Sequence, residues 1–216
     1  MSYDIIIARY NESLEWTKYL HSSTHIIVYN KGIHDISNIP NKQIIPLPNK
    51  GREGNTFLHH IIEHYDHLPD FLILVQGNPF DHMNPAITPM NFQENLDYLM
   101  NHITTIYPLF TIKYKETITY PGIKAKEYYR FIFGEPVPEI IEYAPGSQYI
   151  IPKQSIYMHS RSFYQNINEM LLHSKIVDYH IAHYHDIPFD PYTIHGWCLE
   201  RLFYYLFSSS SSSTIM

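Results

Sequence analysis

Two polar loops hold the side chains best suited to chemistry in this chain. The first is Gly51-Arg52-Glu53-Gly54, and the second runs from Gln76 to His82 in the sequence QGNPFDH. The first sets a cation, an anion and two flexible backbone positions just before a helix, whose amino end favours anions. Arg52 there suits a phosphate or a base edge held bidentately, or simply an ion pair with Glu53. The second loop gathers Gln76, Asn78, Asp81 and His82. Hard cations such as Mg2+ and Mn2+ take oxygen from Asp and Asn, and Mn2+ also accepts imidazole. The same residues also suit a structural turn, with Asn78 and Asp81 capping backbone N–H groups and Pro79 stiffening the bend.

Other clusters lie elsewhere. Tyr10 can stack on a base, Asn11 can read its edge and Lys31 can meet a phosphate. His183, His185 and Asp186 form HYHD, a metal or acceptor cluster or else a polar loop. His195, Trp197, Glu200 and Arg201 share one helix. In that group Glu200 can orient an acceptor and Trp197 can stack on a sugar; the alternative is a docked helix with a buried Glu200–Arg201 network. His60 and His64 have the spacing of a helical metal pair, but no HExxH and no third ligand at a fixed offset accompany them, so a structural role is favoured. Cys198 sits among bulky residues and reads as packing. No GxSxG, Walker A or GxGxxG occurs.

The elements that must position these residues follow from periodicity. Apolar runs predict strands at Tyr3 to Ala8, Thr24 to Tyr29 and Phe71 to Val75, with a short one at Gln43 to Leu47. A helix is expected from Ser13 to about Ser22, which makes the first unit β-α-β with parallel strands. Asn55 or Thr56 is expected to cap a helix to about Tyr65, with Phe57, Leu58, Ile61, Ile62 and Tyr65 on one face. Further helices are expected at Asn91 to Ile103, Ile123 to Phe133, Ser160 or Ser162 to His173, and His195 to Phe207. Strands are expected at Leu109 to Tyr114 and Gly146 to Pro152. In an open α/β sheet, ligands collect at the carboxyl ends of the strands, where both polar loops fall.

Bulk properties narrow the class. The chain has 216 residues, 44% hydrophobic and 17% charged, which predicts one globular domain over residues 1–207. The Ser-rich segment 208–216 reads as a disordered tail. A net charge of −6 argues against a general nucleic-acid partner, and one cysteine excludes an internal disulfide. No signal peptide and no membrane span are expected, so the cytoplasm is the default compartment.

The segment GREGNTFLHHIIEHYDHLPDFLILVQGNPFDH resembles the signature of an uncharacterised protein family of fungi and large DNA viruses. IIIARYNESLEWTKYL, IVYNKG, GSQYIIPKQSI and WCLERLFYYLF are similar to that family in the same order. The family resembles glycosyltransferases of the GT-A fold, which implies a single Rossmann-like α/β domain with a central mixed sheet and helices on both faces. It also implies transfer of a sugar from a nucleoside diphosphate sugar, a UDP-sugar first, to a glycan or other hydroxyl acceptor. A viral member would act in the host cytoplasm or the virion. By strand order, Tyr10, Asn11, Lys31, Arg52 and Glu53 fall in the nucleotide region. Gln76, Asn78 and Asp81 fall where the fold carries an Asp-x-Asp motif for Mn2+ or Mg2+. Amides replace the carboxylates there, leaving Asp81 and His82 as expected metal ligands, or Lys31 and Arg52 to stabilise the diphosphate without metal. The resemblance makes Asp81, Glu200 and Asp186 the candidate catalytic acids. Two alternatives stay open: a non-catalytic nucleotide- or carbohydrate-binding protein, and a metal-dependent hydrolase using Asp81, His82, His183 and His185.

Overall fold

The computed structural model describes residues 1–33, 42–109, 114–119, 123–173 and 191–208, with side chains from His195 onward in the last stretch. The first half holds β1 (Tyr3–Arg9), β2 (His25–Asn30), β3 (Gln43–Pro46), α1 (Arg52–His64), β4 (Phe71–Gln76) and α2 (Phe92–Met100). The second half holds β5 (Tyr107–Pro108), β6 (Tyr114–Thr117), α3 (Ala125–Phe133), β7 (Ile140–Tyr143), β8 (Tyr149–Pro152), α4 (Lys153–Ile156), α5 (Arg161–His173) and α6 (Pro191–Leu202).

Among the described residues, six strands form one mixed sheet in the order β3-β2-β1-β4-β8-β5. The first four are parallel, and β8 runs antiparallel to β4. β6 and β7 form a separate two-stranded antiparallel ladder, with α3 between them in the chain. Strand alternation divides the core in two. Ile6, Ile27, Tyr29, Leu72 and Leu74 face one side, where α1, α3, α5 and α6 pack through Phe57, Ile61, Tyr128, Leu171, Leu199 and Leu202. Ile5, Ile7, Val28, Ile73 and Val75 face the other, against Trp16, Phe92, Leu96 and Met100. β1 and β4 are apolar on both faces because both faces are covered. No helix among the described residues is long and apolar enough to cross a membrane.

Several boundaries differ from expectation, each for a local reason. The β1–β2 crossover is a 3-10 turn, Glu15–Tyr19, instead of a helix from Ser13 to Ser22. Thr17 bonds back to the Leu14 carbonyl through both its N–H and its hydroxyl, closing a tighter turn. Leu14, Trp16, Thr17 and Leu20 are nevertheless buried, as their spacing predicts. α1 begins at Arg52 rather than at Asn55 or Thr56, because Gly51 and Arg52 take left-handed backbone at φ 61° and 50°. β8 begins at Tyr149 because Gly146 and Ser147 are also left-handed, at φ 75° and 49°. The strand expected at Leu109 to Tyr114 falls mainly on 110–113, which lie outside the described residues; β5 ends just before it and β6 begins at Tyr114. α6 starts at Pro191 and yields to a 3-10 turn at Phe203.

Gly32 shows how closely the loops after β1 and β2 approach. A Cβ there would lie 1.5 Å from the Tyr10 carbonyl oxygen. We expect Gly32→Ala to destabilise the protein by about 1–3 kcal/mol, the range for overpacking. Urea unfolding should show a lower midpoint at unchanged slope.

Candidate functional site

The chain leaves β1 toward β2 and β3, then returns to β4 on the other side of β1. That reversal opens a crevice at the carboxyl ends of β1 and β4. A cleft of about 270 Å³ lies there, lined by Tyr10, Glu12, Lys31, Arg52, Glu53 and Gln76 among others. Buried Arg9 holds its near wall. Its guanidinium donates to the carbonyls of Tyr10 and Glu12 and to Asn30 Oδ1, at 3.1, 2.9 and 2.7 Å. Tyr10 is left exposed at the mouth, with exposed Asn11 beside it.

α1 runs antiparallel to the parallel strands, so its amino end points into this cleft. The left-handed pair Gly51–Arg52 turns the chain into the helix, and Lys31 holds that turn. Lys31 Nζ donates to the carbonyls of Lys50 and Arg52 at 2.7 and 2.5 Å, and to Asn55 Oδ1 at 3.2 Å. Those three oxygens match the three ammonium protons. Burial pushes the Lys31 ammonium down to about 7, against the pull of Glu53. Lys31 therefore acts on the cleft by shaping its floor. Arg52 is the lining cation with a solvent-facing side chain, 40% exposed, and its Nε lies 3.5 Å from Glu53 Oε2. Its guanidinium sits 6.0 Å from the Trp197 ring centre.

α6 brings a second carboxylate toward Glu53. Two glycines allow the approach: a Cβ on Gly54 would meet Leu199 at 2.8 Å, and one on Gly196 would meet Arg52 at 2.9 Å. Glu200 accepts the Gly146 N–H at 2.5 Å. Gly146 in turn lies against the Gln76 amide. Burial, reinforced by the nearby Glu53 charge, pushes the Glu200 carboxyl up to about 7; the Gly146 N–H, Arg201 and Arg52 oppose it. Arg201 is committed mainly to Glu116 of β6, through bonds of 2.7 and 3.2 Å, and only 3.9 Å marks its approach to Glu200. Glu200 thus sits behind the cleft wall rather than on its surface.

The loop after β4 is clamped from both sides. Gln148, fully buried just before β8, accepts from the Gln76 N–H and donates to the Pro79 carbonyl. Trp16 donates its indole N–H to the Gly77 carbonyl at 2.8 Å. Asn78 donates to Asp81 at 2.7 Å, so these two residues close on each other. Both line a separate depression of about 510 Å³ on the Trp16 side of the sheet, which also includes Glu12, Glu15, Tyr19 and Phe80. Glu12 lies on the wall shared by the two depressions, wedged against Gly77, and accepts the Tyr10 N–H at 2.7 Å.

The expected site residues therefore divide. Tyr10, Lys31, Arg52, Glu53 and Gln76 meet in the cleft, while Asn78 and Asp81 face the neighbouring depression and Asn11 packs over Gly32. His82 is exposed one residue beyond Asp81. Asp186, His183 and His185 lie outside the described residues. Among the described residues no three His, Cys, Asp or Glu groups converge to hold a metal ion, so Asp81 and His82 form only a partial donor set. His60 is buried, bonded to the Tyr29 hydroxyl and stacked on His64 at 4.5 Å. Burial holds the His60 imidazole down at about 3, so it packs α1 against β2 as a neutral ring. Cys198 is fully buried, its thiol pushed up to about 12 by burial. Arg9, Glu12 and Gln148 are candidate functional-site residues that the sequence does not single out. Arg9 and Glu12 carried one signal, a charged pair directly at the end of the first strand. Gln148 carried none, since one polar residue in a strand run has many roles.

A family profile described as Protein of unknown function (DUF3431) matches residues 5–214. Comparison with curated proteins and with solved structures returns no match.

Glu200 gives a pH signature. Its folded-state value is raised from 4.5 to about 7, so the folded state binds the extra proton between those values. Its stabilising contribution is complete below about 4.5 and is lost as pH rises through about 7. Glu200→Gln keeps an acceptor for Gly146 and cannot ionise. The thermal midpoint of the wild type should fall relative to this variant between those pH values, and the difference should be level above them.

Proposed function

For this chain, which belongs to the DUF3431 family, we propose glycosyl transfer from a nucleoside diphosphate sugar to a hydroxyl acceptor. One observation carries the reading: a helix amino end and a solvent-facing arginine, Arg52, meet at the point where the strand order reverses. Backbone N–H groups and a guanidinium together suit a diphosphate. Tyr10 at the mouth offers a ring for the base. Glu53 and Gln76 offer acceptors and donors to sugar hydroxyls deeper in. A cleft at the carboxyl ends of the first parallel strands of an α/β domain is the feature that supports kinship with GT-A-fold glycosyltransferases, and a UDP-sugar is the first donor to try.

In the proposed reaction the acceptor oxygen forms a bond to the anomeric carbon as the bond from that carbon to the diphosphate breaks. The bonding pair leaves with the diphosphate, whose growing charge Arg52 and the α1 amino end stabilise. Glu12, on the wall between the two depressions, takes the acceptor proton. Glu200, held behind the wall, is not placed to touch substrate. The partial donor set at Asp81 and His82 leads us to route no step through Mn2+ or Mg2+.

A second reading, a binding protein without turnover, draws support from the Asn78–Asp81 bond, which ties up the residues standing where an acidic metal motif is expected. Thermal unfolding with UDP, GDP and their glucose, galactose, N-acetylglucosamine and mannose conjugates tests the shared premise. A ligand at 100 times its Kd adds about 2.7 kcal/mol. At least one should raise the midpoint, and Arg52→Ala should abolish the rise. No shift with any of them rules out the nucleotide cleft; a shift without transfer to any hydroxyl acceptor favours the binding protein.

A further inference from the structure

We infer that the depression beside the cleft is a subsite for a neutral glycan, the acceptor of the proposed transfer; this deepens that reading and rests on it. Its volume, about 510 Å³, exceeds that of the cleft and lies in the range of small-ligand sites. Aromatic rings and hydroxyl-binding groups line it together. Phe80 is half-buried, held edge-on by Trp16 at 5.7 Å and by Phe92 at 5.6 Å, so its ring is fixed in place. Tyr19, 45% exposed, forms part of the rim. Rigid rings of this kind suit the C–H face of a pyranose.

The polar lining selects charge. Glu12, Glu15, Asp81 and Asn78 offer oxygens that accept from sugar hydroxyls, while the lining cation, Lys18, is bonded to Glu15 at 3.0 Å. Asp81 uses Oδ1 to receive Asn78, which orients the carboxylate without blocking its second oxygen. With Lys18 and Glu15 offsetting each other, the carboxylates of Glu12 and Asp81 leave the cavity net negative, which repels phosphate, sulfate and uronate groups, so the occupant is an uncharged sugar chain. Continuity fixes its part in the reaction: Glu12 borders both cavities, so a hydroxyl of a chain seated here reaches the wall that faces the donor.

The chain carries two tryptophans, which makes the subsite directly readable. Trp16 lines the depression, so Trp197→Phe leaves it as the reporter. That protein is titrated with maltotetraose, cellotetraose, tetra-N-acetylchitotetraose and, as an anionic control, tetragalacturonate. We expect a saturable change in Trp16 emission with at least one neutral chain and none with tetragalacturonate. Tyr19→Ala and Asp81→Asn, both at exposed positions, should each weaken binding about tenfold or more, a loss of at least 1.4 kcal/mol. No response to any neutral chain, equal binding of the anionic one, or a response that both variants retain overturns the subsite. UDP and the UDP-sugars are tested on the wild-type protein by thermal shift. Glycan binding without nucleotide binding keeps the subsite and removes the donor reading; nucleotide binding without glycan binding does the reverse.

Discussion

The buried ammonium of Lys31 is the contact on which the arrangement of the cleft depends. It lies just past β2 and binds three oxygens that belong to the start of α1 or the residues before it. Without it, the left-handed step at Gly51 and Arg52 would leave carbonyls of Lys50 and Arg52 facing a partly dry interior. With it, the amino end of α1 is pinned to the carboxyl edge of the sheet. The arrangement has a cost, since burial works against the lysine charge. Asn55 shares the load: it receives Lys31 through Oδ1 and passes its amide to Asn168 of α5 at 2.9 Å. One chain of polar contacts thus joins β2, α1 and α5 beneath the cleft.

A second set of constraints acts on the opposite wall. Gln148 and Trp16 hold the backbone after β4 from two different sides, one from the entry to the antiparallel strand and one from the crossover turn. The antiparallel direction of β8 matters here. It brings the left-handed Gly146–Ser147 step and the Gln148 amide to the edge where the parallel strands end. A parallel strand in that place would have sent its amino end to the opposite side of the molecule.

The strands were the most legible part of the fold. YDIIIA, THIIVY and FLILV are continuous apolar runs too short for helices, and they are the neighbouring strands β1, β2 and β4. Their loops were therefore assigned to the correct edge. Helix starts were less legible, because α1 opens on left-handed backbone rather than on a capping side chain, and Asn55 and Thr56 imitate caps from within its first turns. The 3-10 crossover was hidden because its buried residues also fit a helical face. In the candidate site, Arg52, Glu53 and Gln76 come together as their loops predicted. The split between Gln76 and Asn78 is not readable from sequence: residues two apart in a turn point to different cavities, and only the Asn78–Asp81 bond decides which. Lys31 reads from sequence as a phosphate ligand because local sequence cannot show that two carbonyl oxygens and one amide oxygen close around it.

The glycines at the α1–α6 contact have a consequence for acidity. Gly54 and Gly196 set the spacing of two helices by leaving room for Leu199 and Arg52, and those helices carry Glu53 and Glu200. The charge on one carboxylate raises the proton affinity of the other, and that influence weakens with distance. The proton affinity of this wall is therefore a mechanical property: a methyl group added at either glycine, though it carries no charge, would wedge the helices apart and retune a carboxylic acid that it never touches.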